Sequence, residues 1–176
     1  ADLLPTATDL IDSSTLSSGD RARLTLMIEE AAKAQEEDPA EYLAPLQTYL
    51  EQSAALEADF RIALSEARTE SGDPISALKE IARAEERTHP EETQLRLLEA
   101  RARVQERGGD HTGAIDTLKI LRNRSKEDSL TWQSAILSMA DIHQREDEAK
   151  EAIALLDLLL NRSLDARLKG RAYLIE

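Results

Sequence analysis

Cysteine is absent from the 176 residues. That removes disulfides, thiolate metal sites and cysteine nucleophiles. Aromatic residues are scarce at 3%, against 41% apolar residues overall, so the apolar content is mostly Leu, Ala and Ile. Such a mixture favours helices over strands. No apolar run approaches the ~20 residues a membrane span needs, and the longest candidate, residues 152–160, is interrupted by Asp157. Lys and Arg are missing throughout residues 34–60, where Glu36, Glu37, Asp38, Glu41, Glu51, Glu57 and Asp59 fall. Phosphate binding is driven by counterion release to a basic face, so nucleic acid is excluded as an expected partner.

What is present is acidic and unevenly so. The formal charge is −13; residues 1–60 hold 13 acidic and 3 basic residues, residues 61–176 hold 22 and 19. The plain reading of the acidic stretch is a solvated helix face. Arg outnumbers Lys 16 to 6, a bias that fits a GC-rich bacterial genome. Composition does not separate cytoplasm from periplasm. The chain opens at Ala1 without Met, as expected of a processed or trimmed chain from which a targeting segment has been removed.

Internal repeats organise the sequence. Residues 114–125 and 152–163 match at seven of twelve positions with a shift of 38. Gly72-Asp73 parallels Gly109-Asp110 at a shift of 37, and Asp38-Pro39 parallels Asp73-Pro74 at 35. Each unit reads as two helices with apolar residues at helical spacing. The first helices carry Leu24, Met27, Ile28 and Ala31, then Leu56, Phe60 and Leu64, then Leu95, Leu98 and Ala102, then Trp132, Ile136, Met139 and Ala140. The second carry Leu43, Leu46 and Leu50, then Leu78, Ile81 and Ala82, then Ile115, Leu118 and Leu121, then Ala149, Ile153, Leu156 and Leu160.

Turn chemistry punctuates each unit. Gly72 and Gly109 suit left-handed helix ends, Asp38, Asp73 and Asp110 suit N-caps, and Pro39 and Pro74 suit first helical positions. A helix pair of this length cannot hide its own apolar stripe, so neighbouring pairs must cover one another. Each leucine buried between them contributes roughly 1.5–3 kcal/mol. Residues 1–18, with Leu3, Leu4, Leu10 and Ile11 after a Pro5 start, are predicted to be an N-terminal capping helix, and residues 19–176 a helical repeat domain of about four pairs. Leu164, Leu168, Ala172 and Ile175 read as a helix that stops midway through a further unit, so the natural protein is expected to continue beyond Glu176.

These residues resemble the tetratricopeptide repeat family. Gly72-Asp73, Ala77-Leu78, Ile81, Ala84 and Pro90 are similar to its turn, packing alanine, second-helix apolar positions and closing proline, and Leu98, Ala102, Gly109-Asp110 and Ala114-Ile115 follow suit. The resemblance spans residues 20–176. It departs in period, since the family uses 34 residues, and in the near absence of large aromatics; Arg61 and Arg68 stand where bulky apolar side chains are usual. It implies an all-α, right-handed α-solenoid of antiparallel helix pairs. It further implies a non-catalytic scaffold that takes a peptide or helix of another protein in a concave groove. By position that groove is lined by Asp59, Ile62, Glu66 and Thr69, by Arg96, Glu99 and Arg103, and by Ser134, Leu137 and Asp141. The Lys and Asn set with which relatives clamp a chaperone's terminal carboxylates is missing, because Ile62, Glu66 and Glu99 occupy those positions.

No catalytic or metal constellation emerges from the pattern. His89, His111 and His143 are too scattered for a zinc centre, whose helical ligands need a spacing of about four. Nothing around Glu85-Glu86, Glu91-Glu92 or Asp147-Glu148 suggests the burial a general acid requires. No calcium loop or phosphate-binding glycine loop occurs, so no cofactor is expected. The cluster Lys119, Arg122, Arg124 and Lys126 fits a helix C-terminus. Arg96, Arg101, Arg103 and Arg107 share one helix, where ion pairing with Glu92, Glu99 and Glu106 competes with reception of an acidic segment. The two Asn-Arg-Ser sequons recur at one repeat length and read as helix endings. Trp132 is expected in the core. Two rival readings of function stand beside the scaffold: a self-assembling, homo-oligomeric segment of a larger multidomain protein, and a regulatory appendage of an enzyme outside this chain.

Overall fold

A computed structural model describes residues 3–11 and 15–160. Among them the chain is all-helical, with α1 Leu3–Ile11, α2 Ser18–Ala34, α3 Pro39–Glu51, α4 Ala54–Glu70, α5 Pro74–Glu85, α6 Glu91–Arg107, α7 His111–Arg124, α8 Leu130–Arg145 and α9 Ala149–Leu160. The half-repeat expected from Leu164 to Ile175 lies outside the described residues. Two compact units divide the chain, residues 1–93 and residues 94–176.

One turn recurs four times. The backbone enters the left-handed region at Glu36, Gly72, Gly109 and Asp147, with φ of 59°, 84°, 82° and 59°. Their spacings are thus 36, 37 and 38 residues. After each, an amide donates back five residues: Glu37 to Ala32, Asp73 to Arg68, Asp110 to Gln105 and Glu148 to His143, all at 2.9 Å. This is the Schellman closure, which satisfies the orphan carbonyls of a helix end. The next helix starts at once: the Asp38, Asp73 and Asp110 carboxylates accept from the amides of Ala40, Ser76 and Gly113 at 2.9, 3.0 and 3.0 Å. Pro39 and Pro74 occupy the first helical turn, as their sequence positions predict. At the fourth turn Glu148 stands in place of the capping Asp and turns instead to His143 Nδ1 at 2.6 Å.

In the first unit, α4 packs against α2, α3 and α5, and α1 packs against α2 and α3. Its core joins Leu4 and Ile11 of α1 to Ala22 and Ile28 of α2, Leu46 and Leu50 of α3, and Phe60 and Leu64 of α4. The second unit is centred on α8, which packs against α7 and α9. Trp132, Ala135, Ile136, Leu137, Met139, Ala140 and Ile142 of α8 are all buried. Trp132 is a core residue, as its spacing with Ile136 predicts.

Several stripe positions face elsewhere than predicted. Met27 is 63% exposed because the buried line of α2 runs through Arg21, Thr25, Ile28 and Ala32. On α9 the buried line is Ala152, Leu156 and Leu159, which leaves Ile153 and Leu160 outside. Leu10 of α1 is likewise exposed, and Ala82 of α5 too.

Candidate functional site

The first unit holds a recess of about 630 Å³, within the ~300–1,000 Å³ typical of binding pockets. Its apolar lining comes from Ala40, Leu43, Leu46 and Leu50 of α3 and Phe60 and Leu64 of α4. Positions 43, 46 and 50 lie on one face of α3 because three and seven residues span about one and two turns. Ser53 starts α4 by accepting from the Ala55 amide at 3.2 Å, which sets Phe60 and Leu64 toward the same core. Gln47 and Glu51 complete the α3 side.

A chain of charges forms the other part of the lining. Glu80 is only 3% exposed, since it lies between Ala77, Ile81 and Ala84 on the buried side of α5. A carboxylate so placed needs hydrogen-bonding partners of opposite charge. Arg61 Nη1 donates to its Oε2 at 2.5 Å and Arg83 Nη1 to its Oε1 at 3.0 Å. Arg61 Nε also reaches Glu57 at 3.1 Å, and Arg87 Nη1 holds the other Glu57 oxygen at 2.6 Å. Arg68 extends the chain to α2, donating through Nη2 to both oxygens of Glu29 at 2.7 and 2.9 Å. The buried Arg68 Nε, which makes no hydrogen bond, lies 3.9 Å from Glu80. Burial opposes the ionisation of Glu57, but the hydrogen bonds from Arg87 and Arg61 outweigh it and hold its carboxyl below the usual range.

Charge divides along the same line as the units. Residues 1–93 contain 21 acidic and 8 basic residues, residues 94–176 contain 14 of each. The whole −13 therefore belongs to the unit with the recess.

The residues assigned to a groove by sequence fare differently from one another. Asp59, Ile62, Glu66 and Thr69 of α4 are half-buried. Arg96, Glu99 and Arg103 are exposed on α6, where Arg103 Nη2 pairs with Glu99 at 3.4 Å. Glu99 and Arg103 join Ser134 of α8 around a small cavity of about 60 Å³. Asp141 is half-buried, 3.8 Å from Arg145. Leu137 is a correction: it is fully buried, because α8 is apolar on nearly every side and offers no free face at that point. Glu106, expected to pair along α6, is taken by Arg145 of α8.

Sequence reasoning missed the Glu80 cluster. The available signal was a glutamate three residues after Ala77 and four before Ala84, inside an apolar stripe. Once Glu80 is buried, Arg61 and Arg68 cease to be anomalies at bulky positions, since Arg61 hydrogen-bonds Glu80 and Arg68 hydrogen-bonds Glu29 with its Nε 3.9 Å from Glu80.

The histidines have local partners. His89 Nε2 lies 2.7 Å from the Ala84 carbonyl at the end of α5, His111 contacts Glu146, and His143 contacts Glu148. Among the described residues no group of three His, Cys, Asp or Glu side chains is placed to hold a metal ion. No helix there is long and apolar enough to cross a membrane. Compared with protein-family models, curated proteins and solved structures, the chain finds no match.

Proposed function

We infer that the chain is a non-catalytic protein-interaction scaffold that takes a peptide or helical segment of another protein. Its helix pairs stack as a tetratricopeptide-like, right-handed solenoid. The observation that carries this reading is the fourfold return of one turn, at Glu36, Gly72, Gly109 and Asp147, joining the two helices of each successive pair. A repeat built this way gains surface by adding units, and such surfaces serve recognition of extended or helical segments.

The charged groups favour the same reading over chemistry. Arg61, Arg83 and Arg87 bear on Glu57 and Glu80 rather than on open space, an arrangement suited to holding a wall rigid. Rigidity lowers the ordering cost of binding.

The test is retention of proteins from the source organism's lysate by the immobilised chain, read by mass spectrometry. Two variants accompany the wild type: Arg96→Glu with Arg103→Glu on α6, and Gln47→Arg with Glu51→Lys on α3. A protein retained by the wild type and lost by one folded variant is the expected result, and the variant that loses it locates the surface. Retention of nothing by any of the three chains overturns the scaffold reading.

A further inference from the structure

The recess also carries information about the chemistry of its occupant. We propose that it receives a helical segment of a partner protein with an apolar stripe flanked by Lys and Arg; this rests on the scaffold reading above. The apolar side chains enter against exposed Ala40 and half-buried Leu43, above the buried Leu50 and Phe60, and the basic ones meet the acidic side chains of α3.

Three observations select a basic occupant over an acidic or neutral one. First, the arginines at the recess are already engaged. Arg61 and Arg83 hold Glu80 at 2.5 and 3.0 Å, and Arg87 holds Glu57 at 2.6 Å. An anionic ligand would have to break those pairs, leaving a nearly buried Glu80 without compensation. Second, four glutamates and three arginines line the recess, so its own balance is negative. Third, α3 carries Glu41 and Glu51 with no basic residue, within a unit of 21 acidic and 8 basic residues. Such a field raises the local concentration of cationic segments and speeds their docking.

Shape selects a side-chain-bearing segment over a small cation. A recess of about 630 Å³ with six apolar lining residues offers burial to leucine-sized groups, which a hydrated ion cannot use. Exposed Gln47, one turn from Leu43 and at the centre of the α3 side, supplies a polar contact at the mouth.

The experiment uses the full chain and three defined peptides, labelled and followed by fluorescence anisotropy. One carries Leu at helical spacing with Lys elsewhere, the second replaces every Lys by Glu, and the third scrambles the first so that no apolar stripe forms. The Lys peptide is expected to bind about tenfold or more tighter than either control and to weaken about tenfold between low and high salt, as steered charged encounters do. The Gln47→Arg, Glu51→Lys variant, changed at two exposed positions, is expected to lose that binding at least about tenfold, and Arg96→Glu in the other unit to leave it within about twofold.

Equal binding of the scramble would reduce the effect to diffuse charge attraction and overturn the proposal. So would equal binding of the Glu peptide, indifference to the α3 variant, or no binding at all. A partner retained from lysate and lost only with Arg96→Glu, Arg103→Glu would leave the scaffold standing and overturn the recess as its site.

Discussion

Arg61 and Glu80 face each other at 2.5 Å across α4 and α5, with Glu80 only 3% exposed. A buried pair of this kind adds little net stability over apolar packing, yet breaking it from one side strands a charge. Arg61→Met leaves Glu80 hydrogen-bonded by Arg83 and should therefore cost about 2–3 kcal/mol, whereas Arg61→Met with Glu80→Leu should recover most of that. Trp132 reports only on the second unit, so the readout is hydrogen exchange of α4 and α5 amides. A double variant no better than the single would show that the pair itself, and not the stranded charge, carries the effect.

The four left-handed turn residues offer a graded test. A side chain added at Gly72 or Gly109 meets nothing within 4 Å, so Gly72→Ala and Gly109→Ala probe backbone strain alone. Each should cost about 1–2 kcal/mol, the usual penalty for an L-residue in that region. The reverse change should help where a side chain already bears the strain: Glu36→Gly by about 0.5–1 kcal/mol, and Asp147→Gly by less, because Asp tolerates this conformation better. Thermal melts of the four variants would decide it; a gain at Asp147 larger than at Glu36 would refute the ordering.

How much of this was legible in the sequence follows from the range of each interaction. Turns were readable because their determinants are local: Gly72, Gly109, Asp38, Asp73, Asp110 and the two prolines act on their own backbones. Glu36 and Asp147 hold the same conformation with no glycine to announce it, so only the repeat spacing pointed there. Facial assignments drifted where a helix is buried on more than one side, as at Leu137, or where the stripe is offset by one position, as at Ile153 against Ala152. The recess and its charge chain were not legible, since Arg61 lies 19 positions from Glu80 and Arg68 lies 39 from Glu29. Pairings at that range depend on how whole helices pack.

Arg21 ties the N-terminal helix to its neighbours. It is 2% exposed, donates through Nε to the Ile11 carbonyl at 3.1 Å and through Nη1 to that of Leu16, and places its guanidinium 4.0 Å from the centre of the Tyr49 ring. The planar fork serves two carbonyls and an aromatic face at once, which a lysine ammonium cannot. Arg21→Lys should therefore cost about 2–3 kcal/mol, from hydrogen bonds to a charged donor together with the lost ring contact. Tyr49→Leu, which removes the ring contact alone, should cost about 1 kcal/mol. Protease resistance of α1 provides the local readout, and full retention in Arg21→Lys would refute the two-carbonyl argument.

Glu57 sets the sign of an acid-side prediction. Arg61 and Arg87 hold its ionised form at 3.1 and 2.6 Å, so its folded pKa lies below the unfolded one despite burial. A carboxyl depressed on folding stabilises the protein fully above its unfolded value, about 4.3, and that contribution disappears as pH falls through the folded value. Glu57→Gln removes the ionisation while keeping the shape. The variant should accordingly be less stable than the wild type at neutral pH, and the gap should narrow as pH falls from about 4.3, the unfolded carboxyl value, toward about 3. Urea midpoints at the two pH values measure the gap. A gap that stayed constant would mean that Glu57 acts through packing rather than charge, and one that widened in acid would mean that its proton is held more tightly in the folded state.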